Sequence, residues 1–231
     1  MRGQPGTFLY FLSRRLTKIK VHGHENLAAL DNPGPAMIVI NHTTVVDVVV
    51  TVGTLHKLGF TVDGPCATNC THRRHLRPVG TSDMWNFPLA KQIVSGSGII
   101  PTDQHDGRSA YRAARSALQN NECVLIYPEG DVQINSEASP RSWRPGAAAL
   151  AKSCAMPILP IAHHDTRKLG SGSVWQSIFQ ALSKVFRRPT IHLSIGMPIL
   201  PSEIAELSMQ SANDYLEAKL MQTWLQTKAF S

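Results

Sequence analysis

A histidine and an aspartate, His42 and Asp47, are the residues of this chain best suited to chemistry. His42 follows the apolar run Ile38–Ile40, which predicts a buried strand. A histidine at the end of a strand can act as a general base, because its ordinary pKa is close to neutral. A carboxylate that holds one ring nitrogen improves that base by stabilising the imidazolium. The alternative is a capping histidine and a helix-terminal aspartate without chemistry.

Composition limits the classes of protein to which the chain can belong. Its 231 residues suit one or two domains, and 42% hydrophobic residues are ordinary for an α/β protein. No apolar run reaches the roughly 18–20 residues that cross a bilayer, and no signal peptide is recognisable. The four cysteines are too few for a disulfide scaffold, so we expect a cytoplasmic location. The net charge of +7 favours anionic partners.

The elements that must position His42 and Asp47 alternate between strands and helices. Strands are predicted at 36–40, 60–62, 123–127, 158–162 and 190–195. Helices are predicted at 45–58, 84–94, 107–120 and 145–154. A last helical region, capped by Ser202, is predicted to run with interruptions to the C-terminus. Because parallel strands need crossover connections, this alternation predicts one α/β domain with a largely parallel central sheet flanked by helices. Residues 1–20 are predicted to form an amphipathic segment ahead of a domain at 21–231.

Two stretches place apolar residues at helical spacing beside basic residues. The first stripe is Phe8, Leu12, Leu16 and Ile19, and the second is Val174, Ile178, Leu182 and Val185. The first pattern is typical of a helix that lies in a membrane interface, and it also fits a packing helix with a solvated basic face. The two stripes together predict peripheral attachment to a membrane surface.

Cysteine and histidine side chains cluster at residues 66–75, together with Arg73 and Arg74. A zinc site is conceivable, but zinc sites usually bring together two separated ligand pairs, and this run offers one compact group. The arginines would also place positive charge close to a cation. We therefore favour a loop over residues 65–78, either facing an anionic substrate or simply solvated, and we predict no metal.

Several motifs in this chain follow one another in an order that resembles the glycerolipid acyltransferases, the family that includes lysophosphatidic acid acyltransferases. The similar blocks are Val21–Leu27 upstream, Asn41–Asp47 as the first signature block, Gly98–Asp103 as the second, Tyr127–Gly130 as the third, and Met156–Ile161 as the fourth. The third block usually reads Phe-Pro-Glu-Gly. Each block alone is weak, whereas the ordered set, spanning about residues 20 to 200, is specific.

The resemblance implies a glycerol-phosphate acyltransferase-like fold and a transfer of fatty acyl groups. The donor would be a thioester of coenzyme A or acyl carrier protein, used as co-substrate without a cofactor, and the acceptor a hydroxyl of a lipid. His42 would remove the hydroxyl proton and Asp47 would orient His42, while Glu129 and Gly130 would shape the acceptor site. Threonines or backbone amides near the helix start could stabilise the oxyanion.

Two departures from the family pattern concern positive charge. The third block usually continues Thr-Arg-Ser, but Asp131 begins the corresponding stretch here, and Gln104 stands where the second block usually has arginine. The resemblance assigns the missing arginine of the third block to the acceptor's phosphate, which an aspartate would repel. The arginines that could compensate are Arg141 and Arg144, or the basic cluster of Arg73, Arg74 and Arg77.

Three functions therefore remain open for this chain. The first is an O-acyltransferase of phospholipid synthesis or remodelling, attached peripherally to the cytoplasmic face of a membrane. The second keeps the fold and the donor but acylates another acceptor, such as an aminolipid or a different alcohol. The third is a lipid- or acyl-carrier-binding protein without catalysis, which the presence of His42, Asp47 and Glu129 disfavours. Binding to nucleic acid is not predicted, because no recognisable motif accompanies the charge.

Overall fold

The computed structural model describes residues 5–30, 34–62, 74–81, 98–102, 107–132 and 139–231. These ranges contain both helices and strands, as the hydrophobic pattern predicts. In chain order they are α1 (Pro5–Leu16), β1 (Lys18–His22), β2 (Met37–Ile40), α2 (Asp47–Lys57), β3 (Phe60–Thr61), β4 (Arg74–Thr81), β5 (Ile100–Thr102), α3 (Gly107–Gln119), β6 (Cys123–Ile126), α4 (Pro145–Cys154), β7 (Ile158–His164), α5 (Val174–Ser183), β8 (Thr190–Ile195), α6 (Pro201–Ile204) and α7 (Met209–Lys228).

The eight described strands form a sheet in the order β1-β8-β7-β2-β6-β4-β3, with β5 paired to β4. Neighbouring strands run parallel except β7 and β8, which are antiparallel. The central strand β2 lies between β7 and β6, so that Ile38 is opposite Leu159 on one side and Leu125 on the other. The prediction of an α/β domain with a largely parallel sheet is confirmed.

Helices cover both faces of this sheet, and β2 shows how its residues divide between them. Met37 and Val39 belong to the core beneath α3, α4 and α7, whereas Ile38 and Ile40 belong to the core beneath α1 and α2. All four side chains are fully buried. A strand that is buried on both faces has no polar side to present, which explains the continuous apolar run in the sequence. α5 packs on the α1–α2 side through Ala181.

α1 and α2 pack closely because small residues meet where the two helices touch. A Cβ at Gly53 of α2 would lie 2.7 Å from the Leu9 carbonyl oxygen and 2.6 Å from Ser13 Oγ, both on α1. Such distances leave no room for any side chain at Gly53. The contact therefore holds α2, which begins at Asp47, in a fixed position against its neighbour.

The buried face of α1 differs from the predicted apolar stripe. Phe8 is exposed and Ile19 lies in β1, beyond the end of the helix at Leu16. The buried positions are Gly6, Leu9, Ser13 and Leu16. Close approach to α2 selects small residues for this face, so the larger aromatic residues of α1 remain on the outside.

α5 is likewise turned with its small residues inward. Ser177 and Ala181 are buried, and Gly170 lies so near the Ser177 backbone that a Cβ there would overlap it. Large apolar side chains on and just beyond the helix are exposed: Trp175, Ile178, Phe179, Leu182 and Phe186. The predicted second stripe thus forms a helix, and much of its apolar face is exposed.

Two predictions of secondary structure are wrong. Residues 74–78 were predicted to lie in a loop, whereas Arg74–Thr81 is a strand that pairs with β3, β5 and β6. Ser202 was predicted to cap the last long helix, but it lies inside the short α6, and Ser208 caps α7 by accepting the Ser211 N–H at 3.1 Å. Arg74–Thr81 is difficult to predict as a strand because its arginines and proline favour a loop, whereas pairing with neighbouring strands stabilises the extended conformation.

The predicted helix at 84–94 and most of the cysteine–histidine cluster lie outside the described residues. No helix in the described part of the chain is long and apolar enough to span a membrane. β1 begins at Lys18, within the segment predicted to precede the domain, and the division at residues 20 and 21 stays a prediction.

Candidate active site

The candidate site lies at the carboxyl edge of the sheet, where β2, β6 and β7 end side by side. His42 follows β2, and Glu129 follows β6. The Asn41 side chain extends the pairing of β2 with β7, since its Nδ2 donates to the His163 carbonyl at 3.1 Å and its Oδ1 accepts the His163 N–H at 3.0 Å. Polar residues that are far apart in sequence therefore meet at this edge.

His42 and Asp47 are in contact, as the spacing of the two residues requires for a catalytic pair. His42 Nδ1 lies 3.3 Å from Asp47 Oδ2. The His42 side chain is 17% exposed, whereas that of Asp47 is 0% exposed. Asp47 is the first residue of α2, and the turn before it brings the Thr43 N–H to 2.5 Å and the Thr44 N–H to 2.9 Å from Oδ2. The backbone thus fixes the carboxylate beneath the imidazole.

The environment of Asp47 keeps this buried carboxyl ionised. Burial alone would raise the pKa of Asp47, but its contacts with the imidazoles of His163 and His42 lower that pKa to far below its usual value. An ionised carboxylate can only accept, so His42 Nδ1 carries the proton that it shares with Asp47. The other ring nitrogen, Nε2, is then unprotonated and can take a proton from a substrate.

Glu129 holds the segment that carries His42. Its Oε1 accepts the His42 backbone N–H at 3.4 Å, and the Arg141 backbone N–H also donates to its carboxyl group. Burial raises the pKa of Glu129 to about 8, against the opposing effects of these two N–H groups and of the Arg141 charge. At neutral pH Glu129 is therefore largely protonated and adds little negative charge beside Asp47.

Tyr127 occupies the position at which the third block of the family usually has phenylalanine. Its ring centroid lies 4.3 Å from that of His42, with the planes inclined at 34°. This contact restricts rotation of the imidazole. The aromatic ring and the carboxylate together hold His42 in one orientation.

Gly130 and Arg144 pack against each other at the end of the third block. Gly130 has φ +74, a conformation that favours glycine, and a Cβ there would overlap the Arg144 guanidinium. The Arg144 backbone N–H donates to the Pro128 carbonyl at 2.9 Å. Asp131 follows, exposed, and its Oδ1 accepts the Val132 N–H at 2.7 Å. Gln104 lies outside the described residues.

Two arginines flank the His42–Asp47 pair from different loops. Arg141 lies beside Glu129, and the Nε of Arg167 donates to the Thr43 carbonyl at 3.5 Å. Burial lowers the pKa of Arg167, Asp47 opposes this change, and the positive charge of Arg141 adds to it. The charge of Arg141 thus acts on Glu129, and the charges of Arg167 and Asp47 act on each other.

Arg74 does not join this group. It begins β4, and its Nη2 donates to the Leu30 carbonyl at 3.2 Å while its guanidinium lies over the Phe60 ring. β4 runs parallel to β6, so the start of β4 lies at the edge of the sheet opposite His42. The expectation that Arg74 contacts the substrate is therefore corrected, because tertiary pairing directs this arginine to the amino edge.

Arg77, from the same basic cluster, also has a structural contact. Its Nη1 lies 3.2 Å from the Glu122 carboxylate, and its Nε donates to the Gly98 carbonyl. Arg73 lies outside the described residues. Within the described parts of the chain, no group of three or more histidine, cysteine, aspartate or glutamate residues is arranged to hold a metal.

Three residues of the site were missed from the sequence, namely His163, Thr166 and Arg167. His163 Nε2 lies 3.2 Å from Asp47 Oδ2, and Thr166 Oγ1 lies 2.5 Å from Thr43 Oγ1. A signal was present, because these polar residues come at the end of a predicted buried strand. The sequence alone did not show that this strand lies next to β2. Without that pairing, the contact between His163 and Asp47 could not be predicted.

Comparisons with known proteins agree with this geometry. A family model described as Acyltransferase matches residues 18–164, more than half of the chain. The crystal structure of the 1-acyl-sn-glycerophosphate (LPA) acyltransferase PlsC from Thermotoga maritima matches with a TM-score of 0.70 and 16% identity, covering 97% of this chain and 80% of that chain. At this identity the likeness establishes the fold. No curated protein matches. From the extent of the family match, the chain belongs to the acyltransferase family.

Proposed function

We propose that this protein transfers a fatty acyl group from a thioester of coenzyme A or acyl carrier protein to a hydroxyl of a lysophospholipid or a related lipid. The observation that carries the proposal is the partly exposed His42 imidazole, held through Nδ1 by the buried carboxylate of Asp47. This arrangement supplies a general base at a strand end, with a charged partner that stabilises its protonated form. Membership of the acyltransferase family supplies the reaction class.

In the proposed mechanism His42 Nε2 takes the proton of the acceptor hydroxyl as its oxygen attacks the thioester carbonyl. The new C–O bond gives a tetrahedral oxyanion, which collapses as the C–S bond breaks. The departing thiolate takes the proton from His42, leaving an ester, a free thiol and the neutral imidazole. Asp47 remains ionised throughout, since two backbone N–H groups and two imidazoles surround its carboxylate.

The contacts at the start of α2 reduce the number of groups that are free to stabilise the oxyanion. The Thr43 and Thr44 N–H groups donate to Asp47 Oδ2, and the Thr43 hydroxyl also contacts that carboxylate. These groups, which were candidates for the oxyanion hole, are therefore engaged in holding Asp47. The Thr44 hydroxyl, whose oxygen accepts the Val46 N–H at 3.5 Å, stays a candidate donor to the oxyanion.

The charges near His42 bear on the identity of the acceptor head group. Asp131 stands where the family pattern places a position next to its phosphate-binding arginine, and an anion there repels a phosphate. Arg141 and Arg167 supply positive charge from two other loops. We propose that the acceptor carries less charge than a phosphate monoester, or carries it in a different place.

The experiment that tests the proposed function is product analysis by mass spectrometry. The purified protein is offered acyl-CoA and acyl-carrier-protein donors of several chain lengths with a panel of lysolipids, aminolipids and simple alcohols, beside a His42→Ala control. We expect an acylated product with wild type and none with the folded variant. Binding of acyl donor or lipid without any product would favour a non-catalytic lipid- or acyl-carrier-binding protein, and near-wild-type turnover by His42→Ala would remove His42 from the mechanism.

The same panel tests acceptor selectivity. Each lost charge-assisted contact weakens binding by about 1.5–3 kcal/mol, so we expect lysophosphatidic acid to show a lower kcat/KM than a less charged acceptor. Arg141→Ala, Arg144→Ala and Arg167→Ala are compared with Arg112→Ala, which removes an exposed arginine from α3 on the opposite face. If lysophosphatidic acid is the best acceptor and one of the three site variants selectively lowers its use, that arginine binds the phosphate in place of the arginine of the family pattern. The expectation of a less charged acceptor is then wrong.

A further inference from the structure

Asp47 is held by a second histidine besides the proposed base. His163 lies near the end of β7 and is 0% exposed, and its Nε2 is 3.2 Å from Asp47 Oδ2. The same oxygen lies 3.3 Å from His42 Nδ1. One carboxylate oxygen therefore contacts two imidazole rings, those of His42 and His163, which are 121 residues apart in the chain.

The second imidazole is fixed on its other side by two threonines. His163 Nδ1 lies 3.2 Å from Thr166 Oγ1, which in turn is 2.5 Å from Thr43 Oγ1. Thr43 Oγ1 donates to Asp47 Oδ2 at 3.3 Å, which closes a ring of polar contacts. All four side chains belong to buried residues. The hydrogen bonds of a buried network restrict the side chains that make them, because breaking one leaves a buried polar group unpaired at a cost in free energy.

The backbone of His163 is also tied to the strand that carries the base. Asn41, which immediately precedes His42, bonds both the N–H and the carbonyl of His163 through its side-chain amide. His163 therefore cannot move relative to β2 without breaking these two bonds. Its ring is therefore held in a fixed position beside the Asp47 carboxylate.

The fixed His163 ring affects the orientation of the Asp47 carboxylate. His163 Nε2 lies within ion-pair distance of Oδ2, but the contact does not have the geometry of a hydrogen bond. Rotation of the carboxylate towards His163 would shorten that contact and lengthen the one to His42, because both imidazoles share Oδ2. His163 thus limits the orientations in which Asp47 can hold the proton on His42 Nδ1.

We propose that His163 is a positioning residue for acyl transfer, acting on His42 through Asp47. Its ring is completely buried, so it does not touch substrate. The inference rests on the proposed function, since it assigns a part in the reaction for which His42 is the base. It predicts that changes at His163 affect turnover rather than substrate binding.

The test compares variants that keep different parts of the imidazole. His163→Gln places an amide N–H near the position of Nε2 and so retains a donor towards Asp47, whereas His163→Asn retains a polar group only near Nδ1, towards Thr166. His163→Phe keeps the ring shape without either nitrogen. The matched control is His164→Gln on the next residue of β7, whose ring contacts Asp165 and Trp224 instead.

We expect His163→Asn and His163→Phe to lower kcat by about 100-fold, because small misplacement of a catalytic group has effects of this size. KM for donor and acceptor should stay within about twofold, since the interaction lost is one that matters in the transition state. His163→Gln should recover most of kcat, and His164→Gln should match wild type. Unchanged kcat in the folded phenylalanine variant, equal losses for Gln and Asn, or a loss confined to KM would overturn the proposal.

A double-variant comparison tests whether His163 acts through Asp47. If it does, adding His163→Phe to an Asp47→Asn protein should lower kcat by less than about threefold further, because the two changes remove one coupled interaction. Multiplication of the two separate losses would show that His163 acts independently of Asp47 and would overturn the proposal.

A spectroscopic measurement separates failure of this inference from failure of the proposed function. Nitrogen-15 NMR of histidine-labelled protein reports the His42 tautomer without any substrate. Wild type and His163→Gln should carry the His42 proton on Nδ1, and His163→Asn should populate the Nε2–H tautomer. If no donor–acceptor pair yields product, the proposed function fails, whereas an Nδ1–H tautomer unaffected by His163→Asn overturns the positioning role alone.

Discussion

At the scale of single residues, the charge of Asp47 is what makes His42 a competent base. Asp47→Asn keeps the size of the side chain and an oxygen that can accept the Thr43 and Thr44 N–H groups. It removes the charge that stabilises the imidazolium, and its amide N–H favours the wrong His42 tautomer. We therefore expect kcat to fall by about 100- to 10,000-fold in initial-rate assays.

Asp214→Asn, on the exposed side of α7, is the control for Asp47→Asn, since it makes the same chemical change away from the site. Both variants are checked for native folding by circular dichroism. A folded Asp47→Asn protein with wild-type kcat would contradict the assignment of Asp47.

The raised pKa of Glu129 predicts how stability depends on pH. In the folded protein Glu129 keeps its proton up to about pH 8, whereas in the unfolded chain it ionises near its ordinary value. Unfolding thus releases a proton in this interval, and the free energy of unfolding falls as pH rises, by at most about 1.4 kcal/mol per pH unit. The contribution is fully present below the unfolded pKa and is lost as pH approaches 8.

Glu129→Gln removes this titration but retains an oxygen for the His42 backbone N–H. We expect the variant to gain stability relative to wild type progressively from about pH 4.5 to pH 8, and by a constant amount above that. Urea denaturation at a series of pH values measures the difference. A difference that does not change with pH would show that Glu129 titrates normally in the fold.

The residues of the site were predictable from sequence to the extent that they are local or belong to a known motif. His42 and Asp47 are joined by one turn, so their contact follows from spacing, and the family resemblance added Glu129. His163 and Arg167 were not predicted, because their position depends on β7 lying beside β2. Arg74 was misplaced for the same reason, since the motif gives no information on where β4 pairs.

At the scale of elements, the closeness of α1 and α2 depends on Gly53. Gly53→Ala would improve helix propensity by up to about 1 kcal/mol, but its Cβ would collide with the backbone of α1 at Leu9. Overpacking of this kind costs about 1–3 kcal/mol, so we expect a net loss of stability. Gly146→Ala in α4 is the control, because a Cβ there meets no atom within 4 Å.

Urea denaturation of the two alanine variants measures these effects. Gly146→Ala should be neutral or slightly stabilising, since the helix gains propensity without a collision. Equal stabilisation of both variants would show that α1 can move away from α2 at little cost. Because α2 begins at Asp47, we also expect the activity of Gly53→Ala to fall more than that of Gly146→Ala.

Most elements were predictable from sequence because their residues are apolar at the spacing of the structure they form. α4 and β8 begin and end where the pattern places them. β4 was missed because its arginines and histidine hide a strand that pairing with β6 stabilises. The buried faces of α1 and α5 were also misjudged, since a helix that approaches its neighbour closely turns its small residues inward and leaves larger ones outside.

At the scale of the whole molecule, the outward apolar faces of α1 and α5 lie on one side of the sheet. Leu12 and Leu16 of α1 share a core with Ala181 of α5, so the two helices belong to the same layer. Phe179 is 67% exposed and Phe186 is 97% exposed. Exposed aromatic residues at this density favour an apolar partner, and a lipid acceptor makes a membrane surface the partner that we propose.

Basic residues accompany this surface and predict a preference for anionic lipid. Arg14 and Arg15 are exposed in the last turn of α1, and Arg187 is exposed beyond α5. Positive charge near a membrane contributes about 1 kcal/mol per residue and is screened by salt. We therefore expect co-sedimentation with vesicles containing phosphatidylglycerol at low salt, and weaker binding in high salt or to neutral phosphatidylcholine.

The double variant Phe179→Ser and Phe186→Ser tests the apolar part of this interaction. Burial of one such side chain contributes about 1.5–3 kcal/mol, so loss of two should weaken vesicle binding by about 100-fold or more. The control is Met209→Ser with Leu225→Ser, which removes two exposed apolar side chains from α7 on the opposite face. Equal weakening by both pairs would indicate that surface hydrophobicity alone governs binding. Equal recovery of wild type in the supernatant with and without anionic vesicles at low salt would rule out the proposed membrane surface, because both its apolar and its charged contributions would then be absent.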